Sequence, residues 1–73
     1  MIKCHLSTLM GTKKIKISEL AREINLNRNT ITLLFKEEAS RIDLETIDKL
    51  CKYFNCSVSD LLEYHPDDTN FKS

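Results

Sequence analysis

Apolar residues recur at intervals of three and four along most of the chain, and this spacing predicts five short helices. The first helix is expected near the N-terminus and is expected to stop at Gly11, followed by a basic connection over residues 12–16. Its apolar face comprises Ile2, Leu6, Leu9 and Met10. Helical spacing dominates throughout, and no convincing strand is predicted.

The second predicted helix covers residues 17–24, with inward-facing Ile17, Leu20, Ala21 and Ile24. Its start is weakly specified, because Lys16 is a poor N-cap residue. Asn25 can end the helix, since asparagine adopts the left-handed conformation more readily than most residues. The next helix follows after a corner of only three residues, Asn25, Leu26 and Asn27.

The third predicted helix runs to about Lys36, and Asn27 is a favourable residue to cap its start. Helical geometry divides its residues between two sides. The core side is expected to hold Asn27, Ile31, Leu34 and Phe35. The opposite side is expected to hold Asn29, Thr32, Leu33 and Lys36, with Arg28 on the flank of the first turn. The outward side is therefore polar apart from one leucine.

The fourth helix is predicted over residues 44–54, capped by Asp43. Ile42 and Ile47 match the spacing of a hydrophobic staple at its start. Asn55 is expected to end it. The predicted inner stripe comprises Ile47, Leu50, Cys51 and Phe54.

A fifth, short helix should follow, because Ser57 and Asp60 have the spacing of a capping box. It is expected to contain Val58, Leu61 and Leu62, and Pro66 limits its extension. Residues 1–65 are therefore expected to form one domain, and residues 66–73 a flexible tail ending in DDTNFKS.

The second and third helices with their tight corner have the pattern of a helix-turn-helix unit. Ala21 is small where the two helices must approach closely, and Leu26 is expected to point back into the core. Five short helices around this unit predict an all-α fold with a small core.

Charge is unevenly distributed although the chain has a net charge of zero. Residues 1–41 carry eight Lys and Arg against four Asp and Glu, a net charge of +4. Residues 42–73 carry three against seven, a net charge of −4. A basic half is consistent with one face for an anionic partner, and it is equally consistent with a chance division of solvated charges.

Two segments of the chain resemble the Xre or lambda-repressor-like family of DNA-binding proteins. Residues 17–35, ISELAREINLNRNTITLLF, are similar to the family's helix-turn-helix. Residues 41–64, RIDLETIDKLCKYFNCSVSDLLEY, are similar to its fourth and fifth helices. The resemblance covers about residues 2–64 and is greatest to small stand-alone members. It implies a compact five-helix domain that docks on double-stranded DNA as a dimer, with the third helix in the major groove.

The resemblance also implies which residues meet the DNA. Base edges would be contacted by Arg28, Asn29 and Thr32, with Leu33 and Lys36 on the same face. The side-chain chemistry agrees, since Arg pairs with guanine, Asn with adenine, and Thr or Leu with the thymine methyl. Phosphates would be contacted by the start of the second helix, at Ile17 and Ser18. Further phosphate contacts are expected from Lys13, Lys14, Lys16, Asn27, Thr30 and Arg41.

Two positions depart from the family pattern. Many members have Gln at the position of Ile17, and that side chain helps to hold a phosphate. Ile17 cannot do so, and the contact would pass to the backbone or to Ser18. Many members have Gly at the position of Asn25, where Asn can also serve.

Other chemistry has little support in the sequence. Cys4, Cys51 and Cys56 are an odd number of cysteines, and with no secretion signal a disulfide framework is not expected. These cysteines with His5 and His65 lack the spacing of a zinc site, and no cofactor is predicted. No catalytic grouping or phosphate-binding loop is present, so the chain is not expected to be an enzyme.

The sequence therefore predicts a transcriptional regulator, most simply a repressor, that binds a pseudo-palindromic operator as a homodimer, at least on DNA. Tyr64, Phe71 and the apolar residues of the fifth helix are candidates for the dimer interface. No membrane segment or signal peptide is evident, so a cytoplasmic location is expected. The resemblance suggests a bacterial, phage or mobile-element host. The alternative is a helix-turn-helix module that binds protein, as an antitoxin, antirepressor or adaptor, through Leu33 and the acidic half.

Overall fold

The computed structural model describes residues 1–66 and places them in five helices and a two-stranded antiparallel sheet. In chain order the elements are β1 (Ile2–Cys4), α1 (Leu6–Lys13), α2 (Ile17–Ile24), α3 (Arg28–Phe35), α4 (Leu44–Phe54), α5 (Val58–Leu61) and β2 (Leu62–Tyr64). The five predicted helices and the predominantly helical fold are confirmed. The predicted tail lies, apart from Pro66, outside the described residues.

The prediction that the chain has no strand is wrong, and so is the placement of Ile2 in the first helix. Ile2 lies in β1, where it pairs with Tyr64 and its side chain is 62% exposed. Cys4 pairs with Leu62 in the same register. The spacing between Ile2 and Leu6 fits a helix, but a short apolar segment does not distinguish helix from strand. Pairing with a segment some 60 residues away decides the matter.

The first helix passes through Gly11 and ends only at Lys13, so the predicted stop at the glycine is wrong. The left-handed residue is Lys14, with φ 55° and ψ 43°. Ile15 then donates its N–H to the Met10 carbonyl at 3.1 Å and packs against the core. This is a Schellman motif, in which the residue after the left-handed position donates its N–H to a carbonyl of the last helical turn. The packing of Ile15 therefore sets the end of α1.

The core contains one fully buried side chain from each helix. These five residues are Leu6, Leu20, Ile31, Leu50 and Leu61, each with 0% of its surface exposed. Cys4, Met10, Leu34 and Phe54 complete the buried cluster. Full burial of such a side chain contributes about 1.5–3 kcal/mol. Each helix is therefore held in place by a side chain that packs into the same core as those of the other four helices.

Helix α4 has the predicted bounds. The Asp43 side chain accepts a hydrogen bond from another side chain and not from a backbone N–H as a capping residue would. Its Oδ1 accepts a hydrogen bond of 2.6 Å from the Thr46 hydroxyl, and Thr46 is buried. That bond lowers the pKa of the Asp43 carboxyl. Ile42 and Ile47, the predicted staple pair, both pack against the core.

Helix α5 is a single turn that ends at Leu61, so the prediction that Leu62 is helical is wrong. The capping-box contact is present, since the Ser57 N–H donates to Asp60 Oδ2 at 3.1 Å. Leu62 extends into β2 because it pairs with Cys4 there. Val58, on the same turn, is 52% exposed.

Side chains hold the two-stranded sheet to the rest of the domain. Glu63 accepts hydrogen bonds from His5 Nε2 at 2.7 Å and from His65 Nε2 at 3.1 Å. These contacts, that of His5 above all, lower the pKa of the Glu63 carboxyl. The Cys4 N–H donates to Glu37 Oε1 at 3.2 Å, which ties β1 to the segment after α3. The sheet is thereby connected to the helix-turn-helix.

Replacing Leu50 tests the shared core. Leu50→Ala is expected to lower the free energy of unfolding by about 2–5 kcal/mol, because it opens a cavity where α4 meets the other helices. The measurement is urea denaturation followed by circular dichroism. Leu44→Ala is the matched control on the same helix, since Leu44 is 82% exposed. It should change the stability by no more than about 0.5 kcal/mol.

Candidate nucleic-acid interface

The corner between α2 and α3 is built from backbone hydrogen bonds around Asn25. Asn25 adopts the left-handed conformation with φ 57° and ψ 51°, as the sequence predicts. Leu26 donates its N–H to the Ala21 carbonyl at 3.0 Å, and its half-buried side chain packs against the core. Asparagine thus serves at the position where glycine is usual, and Leu26 holds the turn as predicted.

A side chain from α4 supports the corner from outside. Lys49 Nζ donates to the Asn25 carbonyl at 3.3 Å and lies 3.8 Å from Glu45 Oε2. Lys49 is therefore a positioning residue that sequence reasoning missed. Its place in the chain gives no signal, because Lys49 and Asn25 are 24 residues apart and meet only through packing of α4 beside α2.

The start of α3 is fixed by Asn27, which confirms its predicted role as N-cap, whereas its predicted place on the core side is wrong because Asn27 is exposed. Its Oδ1 accepts the Asn29 N–H at 2.7 Å, and its carbonyl accepts the Thr30 N–H at 3.1 Å. The side-chain oxygen of Asn27 is thus occupied, and the predicted phosphate contact would fall to its amide nitrogen. The cap leaves the side chains of Arg28 and Asn29 exposed.

The outward side of α3 has the residues predicted for it. Lys36 is exposed beside Arg28 and Asn29, and Thr30, Thr32 and Leu33 are half-buried. Between Arg28 and Phe35 the helix has no acidic residue. Basic and amide side chains therefore lie together on a surface free of carboxylates from their own helix.

Two side chains of α3 differ from their expected state. The Thr32 hydroxyl donates to the Arg28 carbonyl at 3.0 Å, so what it can offer a base is its methyl group and its lone pairs. Phe35, predicted on the core side, is 37% exposed. It is the last residue of α3, and the chain turns at once through Glu37, whose φ is 59°. That turn takes Phe35 away from full burial.

The N-terminus of α2 has some features that favour phosphate binding and one that opposes it. Ser18 is exposed, while Ile17 is half-buried against the core and can offer only its N–H. The Lys16 N–H donates to Glu19 Oε1 at 3.0 Å. Glu19 therefore stabilises the weakly specified start of this helix, and its carboxylate stands where an anion is expected. Lys16 and Glu19 have the spacing of a capping box, so the sequence itself contains a signal for this contact.

The remaining basic candidates lie in two separate clefts. Lys13 and Lys14 line a polar cleft with Arg22, and Lys13 Nζ lies 5.4 Å from the centre of the Tyr53 ring. Arg41 lines an apolar cleft beside β1. The structure thus brings together the α3 candidates, and it does not bring Lys13 and Arg41 into one cleft.

The sequence model of the Cro/C1-type helix-turn-helix DNA-binding domain matches residues 5–67. The chain belongs to this family. The match spans most of its length and includes α1 to α5 with the corner at Asn25. It confirms the predicted family and the DNA-binding function of this Cro/C1-type domain.

A bacterial protein is similar over almost the whole domain. It is an uncharacterized HTH-type transcriptional regulator, YozG, of Bacillus subtilis (strain 168). The two sequences are 28% identical over 68 residues, which is 92% of this chain and 81% of the relative. The similarity thus extends beyond the two helices of the corner.

Residues 1–66 include the five helices, three cysteines and two histidines. Within this range no three His, Cys, Asp or Glu side chains are grouped as a metal ion would require. None of the helices there has the length and apolar character to span a membrane. All three cysteines are free thiols.

Replacing Asn27 and replacing Asn29 should have different effects on the stability of the domain. Asn27→Ala removes the cap of α3 and is expected to cost about 0.5–2 kcal/mol of stability, measured by thermal denaturation. Asn29→Ala, which removes an exposed amide, should change stability by about 0.5 kcal/mol or less. Equal losses of stability in both variants would contradict the assigned capping role.

Proposed function

We propose that this Cro/C1-type domain binds double-stranded DNA sequence-specifically and regulates transcription, as a repressor, with α3 in the major groove. The observation that carries the proposal is the outward side of α3. It presents exposed Arg28 and Asn29 on a helix whose start and corner are fixed by Asn27 and Lys49. A fixed helix with exposed hydrogen-bonding side chains is suited to reading base edges.

Each side chain on this surface has a base for which its chemistry is suited. Arg28 can pair with the two acceptors of guanine, and Asn29 with the acceptor and donor of adenine. Thr32 and Leu33 can contact a thymine methyl, and Lys36 can reach a further guanine or a phosphate. A bidentate pair contributes about 1–3 kcal/mol of discrimination against the wrong base.

Phosphate contacts would fix the register of the domain on the duplex. The backbone N–H groups of Ile17 and Ser18, at the N-terminus of α2, are the central candidates. The basic or polar side chains proposed to assist them are Lys13, Lys14, Lys16, Asn27, Thr30 and Arg41. Contacts of this kind raise affinity for every sequence and make it dependent on salt.

A homodimer would match a pseudo-palindromic operator with half-sites about one helical turn apart. The support is an apolar surface on one face of the two-stranded sheet. One end of this face packs against the core. Ile2 and Tyr64 are directly paired there and are 62% and 68% exposed. A cleft of about 170 Å³ adjoins Ile2, with Cys4, Leu34 and Leu62 in its wall. We propose that a second copy of the chain covers this surface.

Repression by blocking access to DNA requires only binding, and binding without catalysis is the activity we propose. The similar Bacillus subtilis protein is described as an HTH-type transcriptional regulator, which is consistent with this role. Cytoplasmic location in a bacterial, phage or mobile-element context follows from the same proposal.

The second candidate function is a protein-interaction module. The zero net charge of the chain and the Glu19 carboxylate at the start of α2 favour it, because both weaken attraction to phosphate. Under this alternative Leu33 and the acidic half of the chain, residues 42–73, would contact the partner. Binding to duplex DNA that weakens steeply with salt would exclude it as the main role.

The proposal is tested by selecting bound sequences from a random duplex pool at two salt concentrations. An enriched palindrome is expected from the intact chain. Arg28→Ala should relax the preference at one position in each half-site, because it removes one base contact. Lys16→Ala should weaken binding to all sequences alike and reduce the salt slope. An unchanged preferred sequence and affinity with Arg28→Ala would contradict the proposed docking.

The dimer is tested by sedimentation of the protein alone and bound to the selected duplex. The intact chain is expected to bind with two copies per palindrome. Tyr64→Ser, combined with Ile2→Ser, should leave one copy per half-site bound independently, because the apolar surface is lost. Val58→Ser is the control, since Val58 is also an exposed apolar residue, on α5. Cooperative pairs in all three proteins would place the interface elsewhere.

A further inference from the structure

Two of the three cysteines flank the end of α4. Asn55 there is left-handed, with φ 53° and ψ 53°. The Cys56 N–H donates to the Cys51 carbonyl at 3.0 Å, and the Asn55 N–H donates to the Lys52 carbonyl at 3.3 Å. These two bonds form a Schellman motif, which folds the residue after the stop back against the one five positions earlier. Side chains at these two positions commonly make an apolar contact, and here both are thiols.

The thiols are close together and partly open to solvent. The two Schellman hydrogen bonds place Cys51 and Cys56 next to each other, and the Cys51 thiol is one of the groups that raise the pKa of Cys56. Both are half-buried against the core, whereas Cys4 is buried on β1. A small reagent can therefore approach this pair more easily than it can approach Cys4.

We propose that Cys51 and Cys56 form a modification site that closes as an intrachain disulfide on reaction with a small organic disulfide. The Schellman motif supplies the close approach that the bond requires. This site lies on α4, the helix whose Lys49 holds the corner of the helix-turn-helix, and it is independent of the proposed base contacts.

The reaction takes place in two exchanges. One cysteine, as its thiolate, attacks a sulfur of the organic disulfide, forms a mixed disulfide and releases one organic thiolate. The second cysteine loses its proton, attacks the cysteine sulfur of the mixed disulfide and releases the other organic thiolate. The two cysteines together lose two electrons and two protons, and the organic disulfide is reduced to two thiols.

The rate should depend on pH. Burial, and then the neighbouring Cys51, raise the pKa of the Cys56 thiol. Cys56 is therefore mainly protonated near neutral pH, and closure should become faster as the pH rises and more thiolate forms.

The experiment is to treat the folded full-length chain with oxidised glutathione, alkylate the remaining thiols and map the product by mass spectrometry. Trypsin cuts after Lys52, between the two cysteines, so the disulfide would join two separate peptides. The expected product has lost two hydrogens, carries one alkyl group on Cys4 and contains these joined peptides. Treatment in guanidinium chloride is the comparison, because Cys4 should also form bridges once the chain is unfolded.

Cysteine variants distinguish formation of the intrachain disulfide from reaction of a single thiol with glutathione. Cys51→Ser and Cys56→Ser should each stop at the mixed disulfide with glutathione, while Cys4→Ala should close as the intact chain does. The proposal would be overturned by three alkylated cysteines after treatment. A stable glutathione adduct on the intact chain, or bridges to Cys4 in the folded state, would overturn it equally.

Discussion

The structure depends on the burial of one apolar side chain from each helix in a common core. The described helices have only 4 to 11 residues, and helices of this length are marginal in water by themselves. Leu20 and Ile31 hold the two helices of the corner, and Leu50 packs α4 into the same cluster. Helix α3 therefore keeps its position only as long as the whole core is intact. This links the surface that would read DNA to residues that never touch it.

The helix ends impose the second constraint, because four short connections must turn the chain sharply with hardly any glycine. Within residues 1–66 the positive φ angles fall on Lys14, Asn25, Glu37 and Asn55. Each follows one of the first four helices, and a left-handed residue other than glycine costs roughly 1–2 kcal/mol. Packing of the residues that follow, such as Ile15 and Leu26, offsets this cost. The same turn after α4 brings two thiols together.

The candidate interface combines features that favour DNA with features that restrain binding. Asn27 and Lys49 fix α3 and its corner, and the helix presents Arg28 with no carboxylate of its own. Glu19 holds the start of α2 by a hydrogen bond, and it also puts a negative charge near the phosphate position. The residue that stabilises the start of α2 is therefore expected to weaken the attraction of that start for phosphate.

The sequence by itself determined the spans of α2 and α4, the corner, two of the left-handed stops and the caps at Asn27 and Ser57. These features depend on local periodicity and on hydrogen bonds between residues a few positions apart, so they are visible in a single chain. The residues proposed to read DNA also came from the sequence, and their contacts stay a prediction. Tertiary structure alone decided the rest. Pairing of β1 with β2 and the contact of Lys49 with Asn25 join distant residues, and the end of α1 at Lys13 follows from where Ile15 can be buried. No local pattern encodes such contacts, because their free energy arises only when the segments meet.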